Sequence, residues 1–170
     1  MKAYLFVSSF LIVTLLVARN QACYRVLTLP YGRVCLSSKN YPNYFISLDS
    51  GEAKIQTSGQ KYFKLVQALA GDDVQPAVSF QSQDVSNHYL RHRSWFMYAD
   101  PQSSTKLFKD DASFFVHKSQ WFPGYYSFES VNYPGYYIRH QYYRVRISEY
   151  DRTVNSSLFQ RDATFKIEDC

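Results

Sequence analysis

Apolar and polar positions alternate along most of the chain in short runs broken by turn residues, the pattern of half-buried strands. Near the C-terminus, Tyr125–Ser130, Tyr136–His140, Tyr142–Ser148 and Thr164–Glu168 read as four strands. Turn signals such as Asn132-Tyr133-Pro134-Gly135 and Glu149-Tyr150-Asp151-Arg152 separate them. Past the first twenty-odd residues no stretch sustains a helical period. The N-terminal segment is different: Lys2 precedes an apolar run from Ala3 to Val17, interrupted only by Ser8, Ser9 and Thr14, and Arg19-Asn20-Gln21 follows. That run is short of the roughly 20 residues a membrane-spanning helix needs, and its charge-then-apolar order is that of a secretory signal. The expectation is a cleaved signal peptide over residues 1–22 and a secreted, extracellular domain over 23–170, with an uncleaved anchor as the alternative.

The strand pattern repeats. Ser79-Phe80-Gln81-Ser82 returns as Ser127-Phe128-Glu129-Ser130, and Tyr89-Leu90-Arg91-His92 as Tyr137-Ile138-Arg139-His140, both 48 residues later. Asp111-Ala112-Ser113-Phe114 returns as Asp162-Ala163-Thr164-Phe165 after 51 residues, so three residues are inserted in between. A fainter copy lies upstream, where Tyr41-Pro42-Asn43-Tyr44-Phe45-Ile46 matches Tyr133-Pro134-Gly135-Tyr136-Tyr137-Ile138. Three units, at about 33–76, 77–124 and 125–170, each of four short strands, predict an all-β chain folded as a β-trefoil. A propeller is the rival, but three blades fall below its usual range of about 4–8.

Composition narrows the classes. An aromatic content of 18% in 170 residues excludes disorder and fits one domain. Removing Lys2 and Arg19 with the signal brings the net charge from +5 to +3, and no Lys/Arg cluster marks a nucleic-acid partner. Cys23, Cys35 and Cys170 imply one disulfide and one cysteine left over. A Cys23–Cys170 bridge would tie the ends of the mature chain together, and Cys35–Cys170 competes with it. No cysteine spacing suits zinc, and no cofactor is expected.

The run SFESVNYPGYYIRHQYYRVRI…LFQRDATFKIED closely resembles the arabinose-binding module of α-L-arabinofuranosidases, the AbfB domain or carbohydrate-binding module family 42. The run SFQSQDVSNHYLRHRSWFMYADP…LFKDDASFFV resembles the same pattern more loosely, and the resemblance spans about residues 33–169. It implies a β-trefoil that binds arabinofuranosyl side chains in small pockets, one per unit, with an inward His and an Asp holding the hydroxyls beside aromatic residues. His92 with Asp111, and His140 with Asp162, are the matching positions.

The chemistry of these residue types agrees. A carboxylate accepts hydroxyl protons, an imidazole donates one bond and accepts another, and a tyrosine offers a flat apolar wall with a polar tip. Tyr89 and Tyr137, three residues before each His, are assigned to the same pockets. The plain alternative is a buried histidine bonded to the backbone and an Asp capping a turn. Comparison of the units favours ligand contact: aligning Phe45 with Tyr137 puts Leu48 at the His position, and aligning Phe63 with Phe165 puts Gln60 at the Asp position. The first unit lacks both together and is expected to bind nothing. Arg91 and Arg139 read as a solvated, Tyr-stacked face, His88 and His117 as surface, and Trp95 and Trp121 as packing. Asn155-Ser156-Ser157 is a glycosylation sequon in the lengthened loop.

Glycoside hydrolysis needs two carboxyls at a set separation, and Asp110-Asp111 has only Arg161-Asp162 as its counterpart. No nucleophile or metalloprotease motif is present. The reading is a non-catalytic, lectin-like protein whose partner is an arabinose-containing polysaccharide or other glycan. The runner-up is a secreted trefoil for protein contact, either a protease inhibitor or a structural extracellular component.

Overall fold

The alternating runs form strands in the computed structural model, which describes residue 29, residues 32–71 and residues 76–170. The expected signal peptide and Cys23 lie outside the described residues. Among the described residues, twelve strands make one sheet: β1 (Arg33–Ser38), β2 (Phe45–Asp49), β3 (Glu52–Gln56), β4 (Phe63–Gln67), β5 (Ala77–Ser82), β6 (His88–Arg93), β7 (Phe96–Pro101), β8 (Phe114–Lys118), β9 (Tyr126–Ser130), β10 (Tyr136–Gln141), β11 (Arg144–Glu149) and β12 (Phe165–Asp169). All pairings are antiparallel. They run β1–β4–β5–β8–β9–β12 and back to β1, so the sheet closes on itself as a barrel. The hairpins β2–β3, β6–β7 and β10–β11 hang from this ring, and their second strands also pair with one another.

Closure removes free edges and gives every strand one face toward a common interior. Phe63, Phe80, Phe114, Phe128 and Phe165 are fully buried there with Leu36, Ile46, Leu90 and Ile138. Phe80 is central: its ring meets Phe128 edge-on at 5.0 Å and Phe63 at 6.4 Å.

Two departures from the sequence expectation bear on function. Short helices α1 (Lys106–Asp111) and α2 (Ser156–Asp162) stand before β8 and β12. Each has fewer than two turns and buries one phenylalanine, Phe108 or Phe159, so neither can print a helical period. Residues 57–62, between β3 and β4, contain no helix. The strand expected from Tyr142 begins instead at Arg144, because Tyr142 and Tyr143 form the β10–β11 turn.

Of the two disulfide pairings left open, Cys35–Cys170 forms, with Cα atoms 5.9 Å apart. It staples β1 to the residue after β12, at the seam where the first and last strands close the barrel. Joining residues 135 apart removes much unfolded-chain entropy. A Cys35→Ala/Cys170→Ala protein should lose about 4–5 kcal/mol in urea unfolding, with the β-sheet circular dichroism of its native state unchanged.

Candidate functional site

His92 and His140 occupy the same place on β6 and β10, pointing inward and almost fully buried. Asp111 and Asp162 are the last residues of α1 and α2, also buried. The helices bring them to the histidines: His92 Nε2 lies 3.5 Å from Asp111 Oδ1, and His140 Nε2 lies 3.7 Å from Asp162 Oδ1. The expected pairs are thus brought together.

A carboxylate at a helix C-terminus faces the negative end of the dipole and, when buried, must be paired and hydrogen-bonded. The first strand of the preceding hairpin, the one that carries the histidine, supplies one donor. Arg91 donates to Asp111 Oδ2 at 3.2 Å, and Arg139 to Asp162 Oδ2 at 2.7 Å. Sequence reasoning put these arginines on a solvated, Tyr-stacked face. They are half-buried instead, and their guanidinium groups lie over Phe108 and Phe159.

The second donor was not anticipated. Asn132 Nδ2 donates to Asp111 Oδ1, and Asn40 Nδ2 to Asp162 Oδ1, both at 2.8 Å. Each comes from the loop after a strand of the next repeat, β9 in one case and β1 in the other. The amide direction then sets the histidine tautomer. With its NH₂ on the carboxylate, each Asn turns Oδ1 to the imidazole Nε2, at 3.0 Å for His92 and 2.9 Å for His140. Ser130 and Ser38 donate to the same oxygens, so Nε2 carries the proton. Burial is the largest influence on both histidines and pushes their pKa values below the ordinary 6.5. The nearby carboxylates oppose that shift and the arginines add to it. Both imidazoles are neutral at pH 7.

Aromatic rings complete each site. Tyr133 meets His92 edge-on at 5.3 Å, and Tyr41 meets His140 at 5.5 Å. Trp95 stacks on Tyr136 at 5.2 Å, and Tyr143 tilts over Tyr44 at 5.8 Å. Trp95 and Tyr143 hold the same position in the β6–β7 and β10–β11 turns, with φ of 72° and 64°. Such a turn favours Gly or Asn, and a bulky side chain there costs about 1–2 kcal/mol. The β2–β3 turn has Gly51 at that position. A cavity of about 260 Å³ is lined by Asn40, Tyr41, His140, Tyr143 and Asp162 among others, and one of about 220 Å³ by His92, Ser94, Trp95 and Tyr133.

The region equivalent in the first repeat is filled differently. Leu48 is buried in the core and donates its N–H to the carbonyl of Gln60 at 2.7 Å. Asp84 stands where the others have Asn and accepts from the Tyr62 N–H.

Tyr89 and Tyr137 are not brought to the cavities. Side chains alternate along a strand, so a residue three before the histidine faces the other way. Tyr89 packs on Phe108 and Ala112, and Tyr137 on Phe159, Trp121 and Tyr150. His117 is paired with Glu129 at 2.7 Å rather than standing free at the surface, and His88 donates to the Ser86 carbonyl. The missed residues had a signal: Ser38-x-Asn40-Tyr41 returns as Ser130-x-Asn132-Tyr133.

The family model of the alpha-L-arabinofuranosidase B (ABFB) domain matches residues 34–167. An alpha-L-arabinofuranosidase B of Emericella nidulans is 40% identical over 63 residues, 37% of this chain and 12% of that one. An otogelin-like protein of Mus musculus is 32% identical over 98 residues, 54% of this chain and 4% of that one. The chain therefore spans a small part of these relatives. The solved structure of an arabinofuranosidase complexed with arabinofuranosyl-alpha-1,2-xylobiose superposes with a TM-score of 0.72 at 22% identity, over 83% of this chain and 31% of that one. That likeness shows a shared fold.

Two outcomes follow from the geometry. Because the folded histidines resist protonation, the unfolded chain binds more protons below about pH 6.5. Stability should be level above that value and fall as pH drops through the window down to the depressed folded values. In urea titrations from pH 7 to 5, a His92→Gln/His140→Gln protein should show a flatter slope than the wild type. Trp95→Gly relieves the turn but loses a ring stack, each worth about 1 kcal/mol. Its thermal midpoint should therefore stay within a few degrees of wild type.

Proposed function

The chain belongs to the alpha-L-arabinofuranosidase B domain family, and from that premise we propose that it is a secreted, non-catalytic glycan-binding protein. It folds as a β-trefoil of three units, about 33–76, 77–124 and 125–170. Arabinofuranose-type sugars bind in two pockets, at His92–Asp111 and at His140–Asp162. The observation that carries the reading is the pair of matching constellations, each with neutral His, Asp, Arg and Asn beside a strained aromatic turn. Their joint absence from the first unit argues against a framework role, since that third of the barrel folds without them.

The chemistry fits a furanose. The carboxylate retains lone pairs for vicinal hydroxyls, the Arg and Asn groups are fixed donors, and the aromatic rings take the apolar face. Binding without catalysis is supported by the pairing within each constellation, where the carboxylate beside the histidine is already engaged by Arg and Asn. The first unit is blind, with Leu48 and Gln60 in place of the charged pair. Asn155 is exposed and its side chain makes no capping bond, which supports its use as a glycosylation site. Secretion rests on the N-terminal segment and the disulfide.

Calorimetry with methyl α-L-arabinofuranoside should find two sites with dissociation constants of about 1 mM. Asp111→Ala and Asp162→Ala should each leave one site. Each should also lower retention on arabinoxylan by about 10²-fold, because two linked weak contacts exceed either alone. The double variant should keep its circular dichroism spectrum and bind nothing. Binding by the double variant, or total loss in a single one, would overturn the two-pocket reading.

A further inference from the structure

The two cavities share an inward histidine and its aromatic neighbours and differ at the rim. The first turn position is Ser94 beside His92 and Tyr142 beside His140, with φ of 49° and 51°. Tyr142 is 88% exposed and, among the described residues, has no hydrogen bond or ring partner, yet it lines the larger cavity. Leu158, on the first turn of α2, lines the same cavity and is 46% exposed. Its counterpart Leu107 is more exposed and is not among the residues lining the smaller one.

Tyr142 brings the fold no benefit that would explain it. Its conformation suits Asn, Asp or Gly, so the ring adds strain, and it buries almost nothing. The neighbouring Tyr143 shares the same φ region, but its ring is engaged with Tyr41 and Tyr44. An unengaged aromatic ring and an exposed leucine together make an apolar shelf continuous with the mouth of one pocket. A sugar ring offers the matching surface, because its C–H face is apolar and its hydroxyls point outward to water.

We infer that Tyr142 is a specificity residue: it receives the next sugar ring of a glycan whose terminal arabinofuranose sits at His140–Asp162. The His140 pocket then has two ring subsites and the His92 pocket has one. The inference rests on the sugar-binding reading above and adds the length of glycan that each pocket reads.

The test compares methyl α-L-arabinofuranoside with arabinofuranosyl-xylobiose by calorimetry on single-pocket proteins. Asp111→Ala, which keeps the His140 pocket, should bind the trisaccharide about tenfold more tightly than the methyl glycoside. Asp162→Ala, which keeps the His92 pocket, should prefer neither by more than about twofold. Adding Tyr142→Ser to Asp111→Ala should bring the ratio down to that of the His92 pocket. Adding Ser94→Tyr to Asp162→Ala should raise it. Equal ratios in the two single-pocket proteins, or a ratio that Tyr142→Ser does not move, would overturn the inference and leave the two-pocket reading intact. Failure of the wild-type protein to bind either ligand would overturn both.

Discussion

A carboxylate at the end of a short helix and shielded from water is tolerable only if donors reach it from more than one side. At Asp111 and Asp162 those donors are an arginine of the preceding hairpin strand and an asparagine from the loop of the next repeat. The asparagine amide can face the carboxylate one way only, and that choice presents its oxygen to the imidazole and places the imidazole proton. Helix, hairpin and following loop are therefore held together by one charge, and the neutral state of the histidines follows from the same enclosure. Removing Asp162 leaves the half-buried Arg139 without its carboxylate partner, whereas Arg91 keeps Asp100 at 2.8 Å when Asp111 is removed.

Much of this was legible along the chain because repetition makes position meaningful. A 48-residue offset aligns His92 with His140, a 51-residue offset aligns Asp111 with Asp162, and matching Phe45 to Tyr137 and Phe63 to Phe165 exposes Leu48 and Gln60 as their missing counterparts. Period-two alternation was enough to call for an all-β fold. The illegible parts each have a physical cause. Helices of six and seven residues are too short to show a period. Tyr89 and Tyr137 were misplaced because nearness in sequence was taken for a shared face, and a strand reverses its side chains at every step. Asn40 and Asn132 act across a boundary, on the His and Asp of another unit, so no spacing within a unit reveals them. Trp95 and Tyr143 differ in residue type although they stand 48 residues apart, and the shared positive φ of the two turns makes their equivalence plain.

The barrel seam unites stability with site formation. β1 pairs with β12 over five residues, and Cys35 in that strand is bonded to Cys170. The same β1 runs on into Ser38, Asn40 and Tyr41, which complete the His140 site. The His92 site is completed by residues after β9, well inside the chain. Two sites with matching chemistry thus differ in how they are closed: one by continuous chain, the other where β1 meets β12.

Because each pocket is assembled across a boundary, a solitary unit is a half-site at either end: it carries His, Arg and Asp toward one neighbour and Ser, Asn and Tyr toward the other. Assembly of the His, Asp, Arg and Asn constellation is a property of adjacency, met twice among the described residues. At the matching place beside β2, Leu48 packs into the hydrophobic core, Asp84 stands in the position of the asparagines, and the turn has Gly51.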